Sequence, residues 1–569
     1  MNMDQQKKSE YLWLKKYPQD ILWDVQFVGK PAYDLLEESA HRFPSRPCID
    51  FLGKKFTYQE VLALVNKVAK GLQNLGVKKG TKVGIFMPNA AYFPIFYFGI
   101  LKAGGVVVNY SPLYVAHEIA DQIQDSNTEI MVTLDLDVLY AKILTAQKET
   151  DLKKIIVCSV KDILPFPKNL LFPLLKKKDL ASISWDQYHV CFEELINNDG
   201  QPKAIKIDPQ EDVAVFQYTG GTTGIPKGAM LTHANIYINA QQARMWFSKV
   251  DEGNERILAA LPLFHVFAMT AIMTLAIRSG AEMFMMFPRF NVDEAMKMIQ
   301  KHKITFFPAV PTIYTMINNH PNVKKFNLTS LKACLSGGAP LPVEVKKKFE
   351  ELTGCKLVEA YGLSETSPGV TSNPLYALNK AGSIGIPLPG TEVRIMSREK
   401  RNQEMGQGER GEICIKGPQV MKGYWKRPEE TQSVFQGDYF HTGDIGYMDE
   451  DGYIFLVDRI KDLIICSGYN VYPRVVEEAI YQHQDVEEVT VIGVPDKKQG
   501  ESVKAFIKLK TGKKVTVQEL TSFLKDRLSS VEMPKYFEFR EALPKTMIGK
   551  LSKKELRTEE LNKPNKKTT

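Results

Sequence analysis

Helical and strand patterns alternate along most of this chain, and that alternation limits its possible folds more than any other feature. Thr57 and Glu60 form a capping-box signature, and apolar residues at helical spacing follow as far as Leu75, where Gly76 ends the segment. Short apolar runs typical of buried strands occur at 83–87, 213–217 and 304–310. Strands that alternate with helices build α/β folds with largely parallel sheets, and this is the fold class that we predict.

The C-terminal part of the chain has a different pattern. A helix is expected to begin near Pro473, short strands at 488–495 and 503–510 follow, and Thr516 and Glu519 cap another helix. This order is typical of a small α+β domain.

A length of 569 residues exceeds what one hydrophobic core usually supports. We therefore predict a large N-terminal domain of helices and largely parallel sheets over 1–457, a hinge at 458–461, and a small mobile C-terminal domain over 462–569.

One loop carries most of the functional information. Residues 218–228 read YTGGTTGIPKG and directly follow a buried strand. Glycines let backbone amides approach phosphate oxygens closely, while threonine hydroxyls and a lysine add donors. The order Pro-Lys-Gly differs from a Walker A loop, and glycine-rich turns also occur as plain connections between strands. The candidate phosphate-binding residues are Thr219, Gly220, Gly221, Thr222, Thr223, Gly224 and Lys227.

This loop resembles the phosphate loop of the adenylate-forming superfamily, which contains acyl-CoA synthetases, luciferases and peptide-synthetase adenylation domains. Gly220 stands where many relatives have serine, which removes one hydroxyl donor and leaves the amide. The chain is most similar to bacterial long-chain fatty-acid–CoA ligases. Further family signatures follow in the family's order: SGGAP at 336–340, YGLSET at 361–366, YFHTGD at 439–444, DRIKDLIICSGYNVYP at 458–473 and PKTMIGK at 544–550.

The resemblance implies a nucleoside site. Tyr361 would lie against adenine, Asp444 would accept hydrogen bonds from both ribose hydroxyls, and Arg459 would also contact the ribose. The remaining residues that the resemblance places around the adenine are Gly338, Ala339, Pro340 and Gly362.

The resemblance also implies the catalytic groups. Glu365 would bind Mg²⁺, Thr219 would reach the metal or a phosphate, and Thr366 would lie near the α-phosphate. Lys550 would reach from the small domain to the α-phosphate and the acyl carboxylate, and Lys461 matches the hinge. Taken alone, Lys550 would read as one of many exposed C-terminal lysines.

The implied enzyme is an AMP-forming acid–thiol ligase with two half-reactions in one site. Fatty acid and ATP first give acyl-AMP and pyrophosphate, and the thiol of coenzyme A then releases AMP. Mg²⁺ is the expected cofactor, and ATP and coenzyme A are the co-substrates. A medium-chain or aryl acid–CoA ligase and an acyl-AMP ligase that loads a carrier protein are the alternatives. A non-catalytic lipid-binding relative is a further alternative.

The acyl channel has two tentative residues. In relatives, a histidine at the position of His265 lies near the acyl-binding channel, and a core histidine is an equally good interpretation. A related enzyme carries a gating tryptophan four residues later, where this chain has Met269, so a gate of that type is not supported.

Two segments raise the question of membrane contact. Residues 257–277 are long enough to span a bilayer, but Pro262 and His265 interrupt them, so we predict a buried strand followed by a buried helix. Residues 163–178 contain three prolines, which we expect to prevent a regular helix, beside leucines, phenylalanines and lysines. This segment either contacts a bilayer or packs as a surface loop.

Composition excludes several classes. The net charge of +8 suits anionic ligands or an anionic membrane surface, and no nucleic-acid-binding pattern accompanies it. Seven cysteines without a close pair fit a reducing compartment, and the charged N-terminus lacks an apolar segment, so we expect no signal peptide there. We expect a cytoplasmic protein whose partners are a fatty acid, ATP and coenzyme A. Peripheral contact with the cytoplasmic face of the membrane and a homodimer are further expectations.

Overall fold

The computed structural model describes residues 11–219, 226–400, 403–466, 469–496, 499–546 and 549–563. Its larger, N-terminal part contains two sheets with parallel centres. The nine-stranded sheet has antiparallel pairs at both ends, and the eight-stranded sheet has them at one end only. The nine strands of one sheet lie in the order Ile386–Pro387, Gly369–Ser372, Lys356–Gly362, Ala333–Ser336, Phe306–Ala309, Arg256–Ala259, Glu282–Met285, Pro47–Phe51 and Lys54–Thr57. The eight strands of the other lie in the order Gly423–Tyr424, Lys227–Thr232, Val213–Thr219, Val106–Asn109, Lys82–Phe86, Thr128–Leu134, Lys154–Cys158 and His189–Cys191.

Helices connect these strands, as the α/β prediction requires, so the predicted fold class is confirmed. The α-helices of this part are Asp34–Arg42, Tyr58–Asn74, Tyr92–Lys102, Ala116–Ser126, Asp137–Gln147, Lys168–Leu175, Phe192–Leu195, His233–Trp246, Val266–Ala268, Leu275–Ser279, Val292–His302, Pro311–Asn318, Val343–Thr353 and Pro428–Val434. A π-helical segment covers Met269–Thr274. Short 3₁₀ segments cover Leu12–Lys16, Val160–Ile163, Lys177–Asp179, Val323–Lys325 and Ser364–Thr366.

A five-stranded antiparallel sheet leads into the C-terminal part. Its strands are Glu392–Met396, Gly411–Lys416, Tyr439–Met448, Phe435–Gln436 and Ile454–Arg459. A 3₁₀ turn at Ile460–Asp462 follows the last of them.

The C-terminal part is smaller and has apolar clusters of its own. Its strands are Tyr469–Val471, Ile464–Cys466, Gly500–Leu509, Val486–Asp496 and Tyr536–Phe539, and its helices are Pro473–Tyr481, Val517–Leu524 and Lys553–Asn562. One of its clusters gathers the buried faces of two helices and four strands, with Ile480, Val491, Ile507 and Leu520 among its members. This separation follows from the change in pattern along the sequence.

Local sequence signals predict several elements closely. Thr57 accepts a hydrogen bond from the Glu60 amide, which confirms the capping box of the helix Tyr58–Asn74. Thr516 and Glu519 form the same motif in the C-terminal part. In both places the signal is contained within four consecutive residues, so no tertiary contact is needed to interpret it.

The prediction that prolines prevent a regular helix in 163–178 is wrong. An α-helix covers Lys168–Leu175 with Pro173 inside it. Because Pro173 is the sixth residue of an eight-residue helix, it removes only one backbone hydrogen bond near the C-terminal end.

The prediction for 257–277 is confirmed, with one addition. The strand Arg256–Ala259 leads into a buried helical stretch over Val266–Ser279, and its middle turn is π-helical. Among the described helices, none combines the length and the apolar character that crossing a bilayer requires.

Candidate functional site

A continuous cavity of about 1180 Å³ opens at the carboxyl ends of the parallel strands. Asn109 and Thr219 end strands of the eight-stranded sheet, while Val310 and Gly337 directly follow strands of the nine-stranded sheet, and all four line this cavity. Open α/β sheets place ligands at this edge because the chain leaves the strands there and the loops diverge. The same cavity is bounded by Lys550 from the C-terminal part.

The candidate phosphate loop connects two antiparallel strands. Thr219 pairs with Lys227 in the register of this hairpin, and Thr219 lines the cavity. The Lys227 ammonium lies 2.5 Å from the Glu430 carboxylate. The predicted residues Gly220, Gly221, Thr222, Thr223 and Gly224 lie outside the described residues.

Tyr361, Asp444 and Arg459 come together at one end of the cavity. The Tyr361 hydroxyl donates to Asp444 Oδ2 at 2.7 Å, and Arg459 Nε lies 3.2 Å from Asp444 Oδ1. Burial, followed by the neighbouring Asp444 carboxylate, raises the pKa of Tyr361, so this phenol remains a donor at neutral pH. Asp444 is only 3% exposed, which makes it a well-shielded acceptor for a ligand's hydroxyl groups.

The loop that carries Asp444 is fixed by Glu412, a residue that sequence reasoning missed. Glu412 Oε1 accepts the Gly443 amide at 2.9 Å, and its other oxygen lies 2.8 Å from His441 Nδ1. Gly443 has a φ of +72°, so the loop turns sharply directly before Asp444. No local sequence signal reveals this contact, because Glu412 and Gly443 are 31 residues apart in the chain.

The predicted adenine residues Gly338, Ala339 and Pro340 line the cavity next to Tyr361 and Gly362. Gly338 adopts a φ of +78°, which favours glycine.

Glu359 is a second missed residue of this wall. Its carboxyl group lines the cavity and accepts the Leu341 amide at 3.0 Å. Burial raises the pKa of Glu359 to about 7, so this carboxyl group can both accept and donate a hydrogen bond near neutral pH. The sequence contained a signal for Glu359: it lies two residues before Tyr361 on the same strand, and side chains two apart on a strand share a face.

The three side chains of the turn Ser364–Thr366 lie in different environments. Glu365 lines the cavity and is half-buried, and Tyr424 donates a hydrogen bond of 2.7 Å to its Oε1. Thr366 is fully buried, and its hydroxyl bonds to the backbone of Leu363 and Pro368 rather than lining the cavity. The other residue of this turn that lines the cavity is Ser364.

Lys550 enters the cavity from the C-terminal part. The preceding Gly549 carbonyl accepts a hydrogen bond of 2.9 Å from the Thr312 hydroxyl on the N-terminal part. Burial, together with the cations Arg459 and Lys461, lowers the pKa of Lys550 to about 7. Lys461 lines the same cavity, and burial lowers its pKa as well.

The two tentative channel residues differ in position. His265 lines the cavity, its Nδ1 accepts the Phe267 amide at 3.3 Å, and burial lowers its pKa to about 4. This imidazole is therefore neutral at physiological pH. Met269 is fully buried, its sulfur lies 3.9 Å from Asn109 Nδ2, and it is not among the cavity-lining residues.

One part of the cavity, the apolar arm, is lined by helical elements of the N-terminal part. Helix His233–Trp246 contacts both the π-helical segment Met269–Thr274 and the helix Leu275–Ser279 that follows it. The side chains that these elements contribute to the lining are Asn239, Ala243, Trp246, Thr270, Ala271 and Leu275. Small residues at two of these positions, Ala243 and Ala271, leave the arm open. Apolar periodicity is weak over His233–Trp246 and every residue of Met269–Thr274 is buried, so neither segment carried a sequence signal for the arm.

Comparisons with known proteins agree with this architecture. The family model described as AMP-binding enzyme matches residues 36–425, and the model described as AMP-binding enzyme C-terminal domain matches residues 475–550. A long-chain-fatty-acid–CoA ligase of Bacillus subtilis (strain 168) is 45% identical over 97% of this chain and 99% of its own length. The protein of the same name from Escherichia coli O157:H7 is 34% identical over 98% of this chain and 99% of its own length.

Solved structures show the same fold. ATP-bound MatB from Rhodopseudomonas palustris has a TM-score of 0.82 and 28% identity, and the match covers 94% of this chain and 99% of that one. An anthranilate CoA ligase, AuaEII, in complex with anthranoyl-AMP has a TM-score of 0.83 at 24% identity, over 94% of this chain and 98% of that one.

A large α/β part and a smaller C-terminal part that share one cavity with a polar end define the class of two-part adenylate-forming enzymes. This chain belongs to the AMP-binding enzyme family, and both of that family's domains are present in it.

Proposed function

We propose that this protein is a long-chain fatty-acid–CoA ligase that forms acyl-AMP from a fatty acid and ATP and then transfers the acyl group to coenzyme A. The observation that carries the proposal is the meeting of Lys550 with Asp444, Arg459 and Glu365 in one cavity that also has an apolar arm. Near-full-length similarity to curated ligases of that name supports the substrate class.

In the proposed first step, the polar end of the cavity holds ATP. The ribose hydroxyls replace the Tyr361 hydroxyl as donors to Asp444, and the ion pair with Arg459 keeps that carboxylate oriented. Adenine lies between Tyr361 and the chain at 338–340, with Glu359 beside it. The Lys550 ammonium then stabilises the negative charge that develops as the acyl carboxylate attacks the α-phosphate and pyrophosphate leaves.

The residues present fit a bound Mg²⁺. Glu365 and Thr219 both line the cavity and offer oxygen atoms, the ligand type that this hard cation prefers. Within the described part of the chain, the Glu365 carboxylate accepts a side-chain hydrogen bond at Oε1 only, which leaves Oε2 for a cation. When bound, the metal would neutralise phosphate charge during departure of pyrophosphate.

The second step requires that the C-terminal part move, because Lys550 occupies the cavity and the thiol of coenzyme A must reach the acyl-AMP. We place the hinge at 458–461, between an N-terminal domain over 1–457 and a C-terminal domain over 462–569. The strand Ile454–Arg459 ends there, and a short 3₁₀ turn with Lys461 in it follows. The Thr312–Gly549 hydrogen bond would hold the adenylation arrangement until it breaks.

The test is a panel of acids, from acetate to oleate with several aryl acids, supplied to purified enzyme with ATP and Mg²⁺. Pyrophosphate and thioester are followed separately, with and without coenzyme A. Thioester formation that peaks at long chains is the expected result. A peak at short or aryl acids would overturn the substrate class, and pyrophosphate release without thioester would overturn the second step.

We also propose peripheral contact with an anionic membrane, through the surface helix Lys168–Leu175. This helix buries none of its residues. Phe172 packs against the core, whereas the four leucines of the helix and the preceding Phe166 are exposed: Phe166 79%, Leu170 60%, Leu171 47%, Leu174 76% and Leu175 77%. An exposed apolar helix of this kind is typical of an interaction surface, and the lysines that flank it favour an anionic partner.

The charges beside this helix favour anionic lipid. Lys176, Lys177 and Lys178 follow it directly, with Lys176 partly neutralised by Asp179 at 3.0 Å. Each lysine near an anionic bilayer contributes about 1 kcal/mol of attraction. Contact with the bilayer would place the enzyme where fatty acids partition.

Liposome co-sedimentation tests this contact. Wild-type protein should bind phosphatidylglycerol-containing vesicles more than phosphatidylcholine vesicles, and Leu174→Ser with Leu175→Ser should reduce binding. Leu22→Ser, at a residue 69% exposed elsewhere on the molecule, serves as the matched control. Equal binding of the wild type and the double variant would exclude this helix as the contact.

We also propose a cytoplasmic location and a homodimer. All seven cysteines are free, and six of them are buried, which suits a reducing compartment. Sedimentation equilibrium tests the dimer, and a monomer at micromolar concentration would exclude it.

A further inference from the structure

Tyr424 lies behind Glu365 and outside the cavity. Its hydroxyl donates to Glu365 Oε1 at 2.7 Å, its side chain is 8% exposed, and it is not among the cavity-lining residues. A phenol at this place contacts the carboxylate without contacting the contents of the cavity.

The backbone around Tyr424 is fixed to two parts of the site. The Met421 amide donates to the carbonyl oxygen of Glu365 at 2.7 Å. The Trp425 amide donates to the Gly228 carbonyl at 2.9 Å, on the strand that begins at Lys227. Tyr424 is therefore held in a fixed position relative to both the Glu365 turn and the end of the phosphate loop.

The ring of Tyr424 also contacts the loop's lysine. Lys227 Nζ lies 5.2 Å from the ring centroid, within the range of a cation–π contact, and its ammonium pairs with Glu430. The backbone amide of Tyr424 donates to Thr431 Oγ1 at 2.9 Å, on the helix that carries Glu430. One side chain thus touches the carboxylate on one side and the phosphate-loop cation on the other.

We propose that Tyr424 is a positioning residue that orients the Glu365 carboxylate toward Mg²⁺ and fixes its distance from Lys227. This inference rests on the proposed role of Glu365 as the metal ligand. A glutamate side chain on a short turn has several rotamers, and a hydrogen bond to one oxygen from a rigid phenol selects the one that presents the other oxygen. Loss of such a partner typically weakens metal affinity or activity by about 10- to 100-fold.

Tyr424→Phe separates positioning from packing, because it keeps the ring and its contact with Lys227 and removes only the hydroxyl. Tyr237→Phe is a matched control: the Tyr237 hydroxyl donates to Glu38 Oε1 at 2.8 Å, and Lys30 Nζ lies 5.9 Å from its ring. Both tyrosines are buried, but Tyr237 and Glu38 do not line the cavity. Thermal melting of both variants reports any general loss of packing.

The measurement is Mn²⁺ binding to the enzyme–ATP complex by electron paramagnetic resonance, with ATP affinity in EDTA measured in parallel. We expect Tyr424→Phe to bind Mn²⁺ about 10-fold more weakly, with metal-free ATP affinity and the Tyr237→Phe control unchanged. Steady-state kinetics should show a matching rise in the Mg²⁺ concentration needed for half-maximal rate.

Glu365→Gln distinguishes failure of this inference from failure of the metal assignment. If Glu365→Gln loses Mn²⁺ and Tyr424→Phe does not, the positioning role is refuted while the metal ligand stands. If neither change affects Mn²⁺ binding, the assignment of Glu365 to the metal is refuted, and the inference with it. If Tyr424→Phe still weakens Mn²⁺ binding in the Glu365→Gln background, Tyr424 acts by another route and the inference fails.

Discussion

The charge on Lys550 gives a sharp kinetic prediction, because burial in the cavity moves its titration into the physiological range. Burial and the cations Arg459 and Lys461 outweigh the nearby carboxylates and lower the pKa of Lys550 to about 7. In the proposed first step only the ammonium form stabilises the transition state. The competent fraction of free enzyme is about one half at pH 7, about one tenth at pH 8 and about one hundredth at pH 9.

The assay is ATP–pyrophosphate exchange without coenzyme A, so that ionisation of the thiol does not contribute. We expect kcat/KM for ATP to fall about tenfold per pH unit above about pH 7, since this parameter reports the free enzyme. The corresponding fall in kcat should occur at higher pH, because bound triphosphate favours the ammonium form and raises the pKa of Lys550.

Lys550→Arg and Lys550→Ala complete the test. Arginine keeps its charge throughout this pH range, so the descending limb should disappear even if the rate is lower. Lys550→Ala should nearly abolish adenylation and leave transfer from preformed acyl-AMP largely intact. A wild-type kcat/KM that is constant from about pH 6 to about pH 9 would refute the charge argument. Equal losses of both half-reactions in Lys550→Ala would refute the assigned role.

Three further substitutions and one control variant test other parts of the site. Asp444→Ala removes an acceptor of two charged hydrogen bonds worth about 1.5–3 kcal/mol each, so kcat/KM for ATP should fall at least about 100-fold; a change below about threefold would exclude ribose binding there. Ala271→Trp fills the apolar arm and should shift the preferred acyl chain length downward, with kcat/KM for a long-chain acid falling about fourfold per displaced methylene. Met269→Leu is the control: Met269 does not line the cavity, so the chain-length profile should stay unchanged. Thr312→Val removes the hydrogen bond to Gly549 and should slow adenylation about 3- to 10-fold without slowing thioester formation. Equal effects on both steps would show that this hydrogen bond does not specifically stabilise the adenylation arrangement.

The sequence predicted much of the fold through short-range signals. Capping boxes at Thr57 and Thr516, the helix start at Pro473 and the buried strands each depend on a few consecutive residues, and the structure has all of them. Pro173 was misjudged, because the cost of a proline depends on where the helix begins and ends, and neighbouring residues did not reveal that.

The candidate site was predictable to the extent that single motifs define it. Tyr361, Asp444, Arg459 and Lys550 were named from their motifs, and the structure brings them into one cavity. Within the turn 364–366, sequence order did not reveal which residues line the cavity: Ser364 lines it, and Thr366 is buried and does not. Orientation in a one-turn segment depends on what packs against it rather than on the segment alone.

The sequence by itself thus determined the class of fold, the order of the elements and most of the chemical groups at the polar end of the cavity. The tertiary structure alone decided which distant segments support those groups. The Tyr424–Glu365 hydrogen bond joins residues 59 apart, and the Thr312–Gly549 hydrogen bond joins residues 237 apart. It also decided that Ala243 and Ala271 open an apolar arm, since the helix His233–Trp246 has no clear apolar stripe and every residue of Met269–Thr274 is buried. Such contacts depend on how whole elements pack, and no local pattern encodes that packing.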